Sequence, residues 1–313
     1  MSLCNHNLLR VKGLFLLLGF ISFSASALET DNYLAWKKEL RDSGPAINSY
    51  FNHEITHVLK TSDPDLSCEE VTQKIGEVFE SHLVHDNPVE NHLLSVLSSE
   101  EIFPTSLYYV EESIYRDPFR VYIPYFGLAP NVQVNGFYFG TDKLSHFAST
   151  GRIYYEKFQK SSSLKSAISW GVRDEKTLHG YWASGVFSYA DLEANYQGFL
   201  FYQDLCQGSH PYLTKKGSRW SLQRPFKIEK YVSGLWDETY LESYRLPGNW
   251  NKVKGFIQRE YCPLKDSPLV RKRFHYYQTH YPLRSTLGLL EGLDLPKAQS
   301  FQELCQSFEV QSL

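Results

Sequence analysis

The first 27 residues carry the layout of a cleavable secretory signal, and that feature sets the conditions under which the rest of the chain folds. A basic stretch with Arg10 and Lys12 leads into an apolar run from Gly13 to Phe23, and Ala25-Ser26-Ala27 supplies an A-x-A cleavage site. The apolar run is shorter than the roughly 20 residues that span a bilayer, and no later stretch reaches that length without charges. The expected product is a soluble exported chain starting at residue 28, periplasmic or extracellular, with no transmembrane segment. Cys4 precedes the apolar run and so is not placed as a lipobox cysteine.

Export puts the remaining cysteines, Cys68, Cys206, Cys262 and Cys305, in an oxidising compartment. They are widely spaced and contain no C-x-x-C, which argues against a zinc knuckle or a redox motif. Two disulfides are expected, with all three pairings open. The chain holds 32 Lys and Arg against 35 Asp and Glu, and the signal removes two of the basic residues, so a nucleic-acid partner is not expected. The 22 tyrosines have two readings. They are half-buried packing residues with the hydroxyl at the surface, or rings lining a groove for a glycan or lipid headgroup.

Periodicity predicts a mainly α fold: a helical domain with a central helix pair, a Pro- and aromatic-rich extended segment and a small β-hairpin. Three regions follow the signal at 1–27: an N-terminal helical region (28–102), a core (103–206) and a C-terminal helical region (207–313). Ile47, Phe51, Ile55 and Val58 share one face of a helix placed within Asn32 to Lys60. Further helices are expected over Cys68 to Leu83, near Glu90 to Leu97, from Thr141 to Lys160, from Ser162 to Val172, and from Ser188 to Leu205, the last opened by an S-x-x-D cap. Prolines 104, 118, 124 and 130 break the aromatic stretch from Phe103 to Gly140, where a hairpin is expected near Val132 to Phe139. The segment Gly208 to Ile228 reads as a linker or a second hairpin.

Two constellations could carry chemistry. His53-Glu54-Ile55-Thr56-His57 is a literal H-E-x-x-H, able in principle to hold zinc beside a glutamate base. Only about 25 mature residues precede it, too few for the substrate-holding sheet edge of a zinc protease, so two solvent-facing histidines are expected, and no metal is assigned to His53, Glu54 and His57. In the second constellation, Asp142 and His146 stand four residues apart, as do Asp191 and Asn195. Close packing of Gly198 against Ser149 or Gly151 would gather these four side chains into one polar cluster. A histidine between carboxylates can act as acid or base, or join a divalent metal site. Each member also has a structural role available: Asp142 at a helix dipole, Asp191 in a cap, His146 and Asn195 in a buried link.

The order Asp142-Lys143-Leu144-Ser145-His146-Phe147, then Phe187-Ser188-Tyr189-Ala190-Asp191-Leu192-Glu193-Ala194-Asn195-Tyr196-Gln197-Gly198, resembles the YfiM-like periplasmic proteins and, more distantly, VanZ-like families. The resemblance covers about residues 135–205. It implies a helical hairpin-like core in the cell envelope, and aligns Glu175 with an acidic residue between the two pieces; VanZ-like proteins are associated with glycopeptide resistance. The lack of membrane-spanning runs fits the exported relatives better. Two functional readings follow. In one, the chain is an envelope binding or structural protein whose Asp142, His146, Asp191 and Asn195 fix helix packing, with Lys143, Glu175 and Asn195 as candidate binding residues. In the other it is an envelope hydrolase or transferase, in which His146 is general base, Asp142 or Asp191 orients it, and Lys143 or Arg152 steadies negative charge. No G-x-S-x-G nucleophile elbow accompanies them. Trp236-Asp237-Glu238 reads as a helix start, and Arg271-Lys272-Arg273 as a solvated face with Asp266 nearby.

Overall fold

A computed structural model describes residues 29–80, 87–103, 112–116, 128–177, 180–181, 184–297 and 299–311; the signal at 1–27 lies outside them. The architecture is mainly helical, with short antiparallel strands in small sheets. Among the described residues no helix is long and apolar enough to cross a membrane.

The helix expected within Asn32 to Lys60 is corrected. Asn32–Ala35 is a separate 3-10 turn, capped by Asp31, which accepts from the Tyr33 N–H. Helix α1 is Gly44–Thr61, with Pro45 in its first turn. There the missing N–H of proline costs nothing, whereas a helix arriving from upstream would lose a hydrogen bond at that residue. Ile47, Phe51, Ile55 and Val58 are buried as a face, joined by Leu59. A Ser67/Glu70 capping box opens α2 (Cys68–Glu77), and Asn87 caps α3 (Pro88–Val96). The expected extension of α2 to Leu83 is corrected: the helix ends at Glu77 and residues 78–80 are not helical, while 81–83 lie outside the described residues.

The hairpin near Val132 is present and gains a third strand. β1 (Ile102–Phe103), β2 (Asn131–Val134) and β3 (Phe137–Gly140) form an antiparallel sheet in which Val132 faces Phe139. Its turn is Asn135-Gly136, with φ of 48° and 85°; such a two-residue turn matches strand twist, and Asn-Gly tolerates the left-handed backbone best. Strand β3 runs directly into α4 (Asp142–Ser145), then a π-helical turn, His146–Thr150, and then α5 (Gly151–Ser161). The Gly151 N–H reaches back five residues to the His146 carbonyl, the widened turn that often marks functional helices.

After α6 (Leu164–Glu175) and the two-residue strand β4 (Val186–Phe187), α7 (Tyr189–Cys206) forms the central rod, buried on all sides from Tyr189 to Tyr202. It lies against α5 at the contact expected from the glycines. A Cβ added to Gly198 would stand 1.9 Å from the Phe147 carbonyl oxygen, and one on Gly151 2.6 Å from the Gly198 Cα. No other residue type permits that approach. The segment after α7 is a hairpin of β5 (Leu213–Lys216) and β6 (Arg219–Leu222). The C-terminal part holds β7 (Leu241–Glu242), β8 (Tyr244–Arg245), α8 (Pro247–Glu260), α9 (Pro268–Thr279), β9 (Gln299–Ser300) and α10 (Phe301–Gln311). Of the three pairings left open, the cysteines adopt Cys68–Cys206, tying the start of α2 to the end of α7, and Cys262–Cys305, tying the turn after α8 to α10.

Candidate functional site

The start of α4, the first turns of α7 and the loop after the 3-10 turn Gly234–Trp236 meet at a buried ionic centre. Lys143, fully buried, is its hub. Its Nζ lies 2.7 Å from Asp142 Oδ2, 2.6 Å from Asp191 Oδ1 and 2.6 Å from Glu238 Oε1. Burial pulls its pKa down, but the three carboxylates together outweigh this and hold it well above the ordinary lysine value. Its ammonium donates to Asp142 and Glu238 and is ion-paired with Asp191, so three anions surround one cation.

The carboxylates are themselves supported. Thr30 Oγ1 donates to Asp142 Oδ1 at 2.6 Å, Ser188 Oγ to Glu238 Oε1 at 3.1 Å, and the Glu238 N–H to Asn32 Oδ1 at 3.0 Å. Ser188 also caps α7, its hydroxyl accepting from the Asp191 N–H at 3.1 Å. Dipole, cap and cluster are thus roles of the same residues.

On the far side of Asp191 stands His146. Its Nε2 is 3.3 Å from Asp191 Oδ2, and its Nδ1 is 3.1 Å from Asn195 Oδ1. Glu175 completes the group: its Oε2 accepts from the Ser188 N–H at 3.2 Å. Burial, then the Asp191 charge, push the Glu175 carboxyl well above its usual range. Glu29 is pushed up to about 8 by burial, then by Glu238 and Asp191. Among the described residues, two sets of His, Cys, Asp and Glu bring ligand atoms within 4.8 Å of one another: His146, Glu175 and Asp191, and Asp142, Asp191 and Glu238.

Helical spacing therefore places Asp142, His146, Asp191 and Asn195 together; Lys143, beside Asp142, and Glu175, implied by the resemblance, stand among them. It missed Glu238, Glu29 and Thr30, and the helix-start reading of Trp236-Asp237-Glu238 is corrected, since Glu238 is a member of the centre. Arg152, assigned a charge-steadying part, pairs instead with Glu80 at 2.9 Å and Glu156 at 2.7 Å. His53 and His57 are exposed on α1, and His53 Nε2 is 3.9 Å from Glu54 Oε1. The solvated-face reading of Arg271-Lys272-Arg273 is corrected for Arg273, which is buried and stacks 3.6 Å over the Tyr138 ring.

At the edge of the centre, Ser145 Oγ donates to Glu90 Oε1 at 3.1 Å. Burial, then the Asp142 charge, raise the Glu90 pKa from 4.5 to about 8. A carboxyl raised on folding binds more protons in the native than in the unfolded chain between those values, so its contribution to stability is full below pH 4.5 and lost as pH rises towards 8. Glu90→Gln is expected to remove this dependence, flattening the stability profile over that window by up to about 1.4 kcal/mol per pH unit. Urea unfolding at pH 5, 6.5 and 8 measures it; parallel profiles for wild type and variant would show Glu90 ionising freely.

A separate groove of about 810 Å³ opens where the chain before α1, the β2–β3 turn and α9 meet. Tyr138 and Arg273 lie in its floor, Tyr276 is half-buried in its wall, and Lys38, Arg41 and Lys272 are exposed around it. Arg273 donates from Nη2 to the Ala35 carbonyl at 3.2 Å, whereas its buried Nη1 has no hydrogen-bond partner among the described residues. None of the groove-lining residues belongs to the ionic centre. No family model, curated protein or solved structure matches the chain.

Proposed function

We propose that this chain is an exported envelope binding protein, in which the Lys143 centre fixes the helix pair and the groove takes an anionic glycan or lipid headgroup. The observation that carries the reading is the make-up of the groove: Arg273 over Tyr138 in its floor, the half-buried Tyr276 in its wall and the basic rim of Lys38, Arg41 and Lys272. Rings bind the flat faces of sugars, and arginine matches carboxylate and phosphate oxygens. Part of the rim charge is already taken, since Arg41 pairs with Glu100 and Lys272 lies 3.7 Å from Glu39. Selectivity is therefore assigned to Arg273 and Tyr276. The resemblance to YfiM-like periplasmic proteins supports the envelope location and leaves the ligand to this groove.

The test is calorimetric titration of the mature protein with a soluble peptidoglycan fragment and, separately, with vesicles containing anionic phospholipid. One of the two should bind, and Tyr276→Ala should weaken that binding about tenfold or more, the scale of one lost charge-oriented or stacking contact. No heat with either probe would end the reading.

One observation favours the second reading, an envelope hydrolase or transferase with His146 as general base: Asp191 and Asn195 hold the imidazole by both nitrogens. Against it, Lys143 is spent on three carboxylates, and the partners of the His146 ring among the described residues are Asp191 and Asn195, not a hydroxyl or thiol nucleophile.

A further inference from the structure

We propose that His146, Asp191 and Glu175 form a three-ligand site for a divalent cation of the zinc class, inside the helix pair and separate from the groove. Three observations carry it. The first is the facing of the imidazole. Nδ1 looks at an amide oxygen and Nε2 at a carboxylate oxygen, both acceptors. A neutral ring has one N–H and can satisfy only one of them. With Nδ1–H donated to Asn195, the Nε2 lone pair is free to meet a cation shared with Asp191.

The second is distance. Metal–nitrogen and metal–oxygen bonds of about 2.1 Å opening at a tetrahedral angle separate the two ligand atoms by roughly 3.4 Å. His146 Nε2 and Asp191 Oδ2 stand 3.3 Å apart, and an oxygen of Glu175 lies with them inside 4.8 Å. The third is support around the ligands. Asn195 orients the ring from Nδ1, Lys143 occupies Asp191 Oδ1 and leaves Oδ2 facing the histidine, and the Ser188 N–H holds Glu175. Metal sites depend on such partners to fix ligand orientation.

The neighbouring set, Asp142, Asp191 and Glu238, takes no metal in this scheme because the Lys143 ammonium already sits among its oxygens. The π turn starting at His146 matters here too, since it re-aims the chain at the ligand-bearing residue.

The experiment uses the mature protein with its disulfides intact, purified without chelator, analysed for metals, then stripped and titrated with Zn²⁺ and with Co²⁺. Expected are one equivalent of metal per chain, a visible cobalt absorption band and a rise in Tm on loading. Asn195→Ala and Glu175→Gln should weaken Zn²⁺ affinity by about 10- to 100-fold. Stripped wild-type protein that is folded by circular dichroism, takes up neither ion and shows no shift in Tm would overturn the proposal. Binding that survives both variants, or vanishes only with His57→Ala, would also overturn it. Groove binding is read with different probes, so either proposal can fail alone.

Discussion

Lys143→Met is expected to destabilise the protein by about 3–5 kcal/mol, the scale observed when one partner of a buried ion pair is removed. The loss arises less from the missing attraction than from what remains: Asp142, Asp191 and Glu238 would face one another in a dry interior, with Thr30 and Ser188 as their neutral donors. Against a typical total of 5–15 kcal/mol, this is a large fraction. Asp142→Asn should cost less, about 1–3 kcal/mol, because Lys143 keeps two anions and the amide keeps a hydrogen-bonding oxygen. Chemical unfolding of both variants at pH 7 measures the set. A Lys143→Met protein with an unchanged midpoint would show that water or a mobile counter-ion reaches the centre.

The parts of this centre that were legible in the sequence are those written on helices. Two residues four apart on one helix, two on another, and a glycine on each share a code that needs no tertiary information: period 3.6 gives the common face, and the missing Cβ atoms permit the approach. Glu238 and Thr30 had no such code. They arrive on irregular segments 95 and 112 residues from their partners Lys143 and Asp142, so nothing local distinguishes them from solvated polar residues. The same applies to the groove. Lys38 and Arg41 come before α1, Gly136 from a hairpin turn, and Arg273 and Tyr276 from α9, while only the last pair shows a pattern. Arg273 also shows how composition misleads: in a run of three basic residues, helix geometry turns one inward, where a tyrosine face and a backbone carbonyl receive it. The long helix expected from Asn32 failed for a different reason. The periodic face began at Ile47, but Pro45 and the Asp31 cap set two separate starts, which is local chemistry the sequence did contain.

Removing Cys68–Cys206 by replacing both residues with Ala is expected to cost up to about 5 kcal/mol, and removing Cys262–Cys305 up to about 4, from the loop-closure entropy returned to the unfolded chain by sequence separations of 138 and 43. The order of the two is the sharper expectation, because both values share the same model. Guanidinium unfolding should show lower midpoints for both double variants, with a larger slope for the first, whose denatured state expands most. A reversed order would mean that local packing outweighs chain entropy, and the second pair has such packing, Cys262 and Cys305 being buried where Cys68 and Cys206 are half-buried. The first disulfide also closes the opposite end of the rod that bears the ionic centre, since α7 begins at the Asp191 turn and ends at Cys206. At about 1.5 Å per residue, those ends lie more than 20 Å apart, beyond direct coupling. Combining Lys143→Met with the Cys68/Cys206 replacement should therefore add within about 0.5 kcal/mol. A larger departure would show that α7 transmits the loss of one anchor to the other, as a rigid helix pinned at both ends and buried along its length could do.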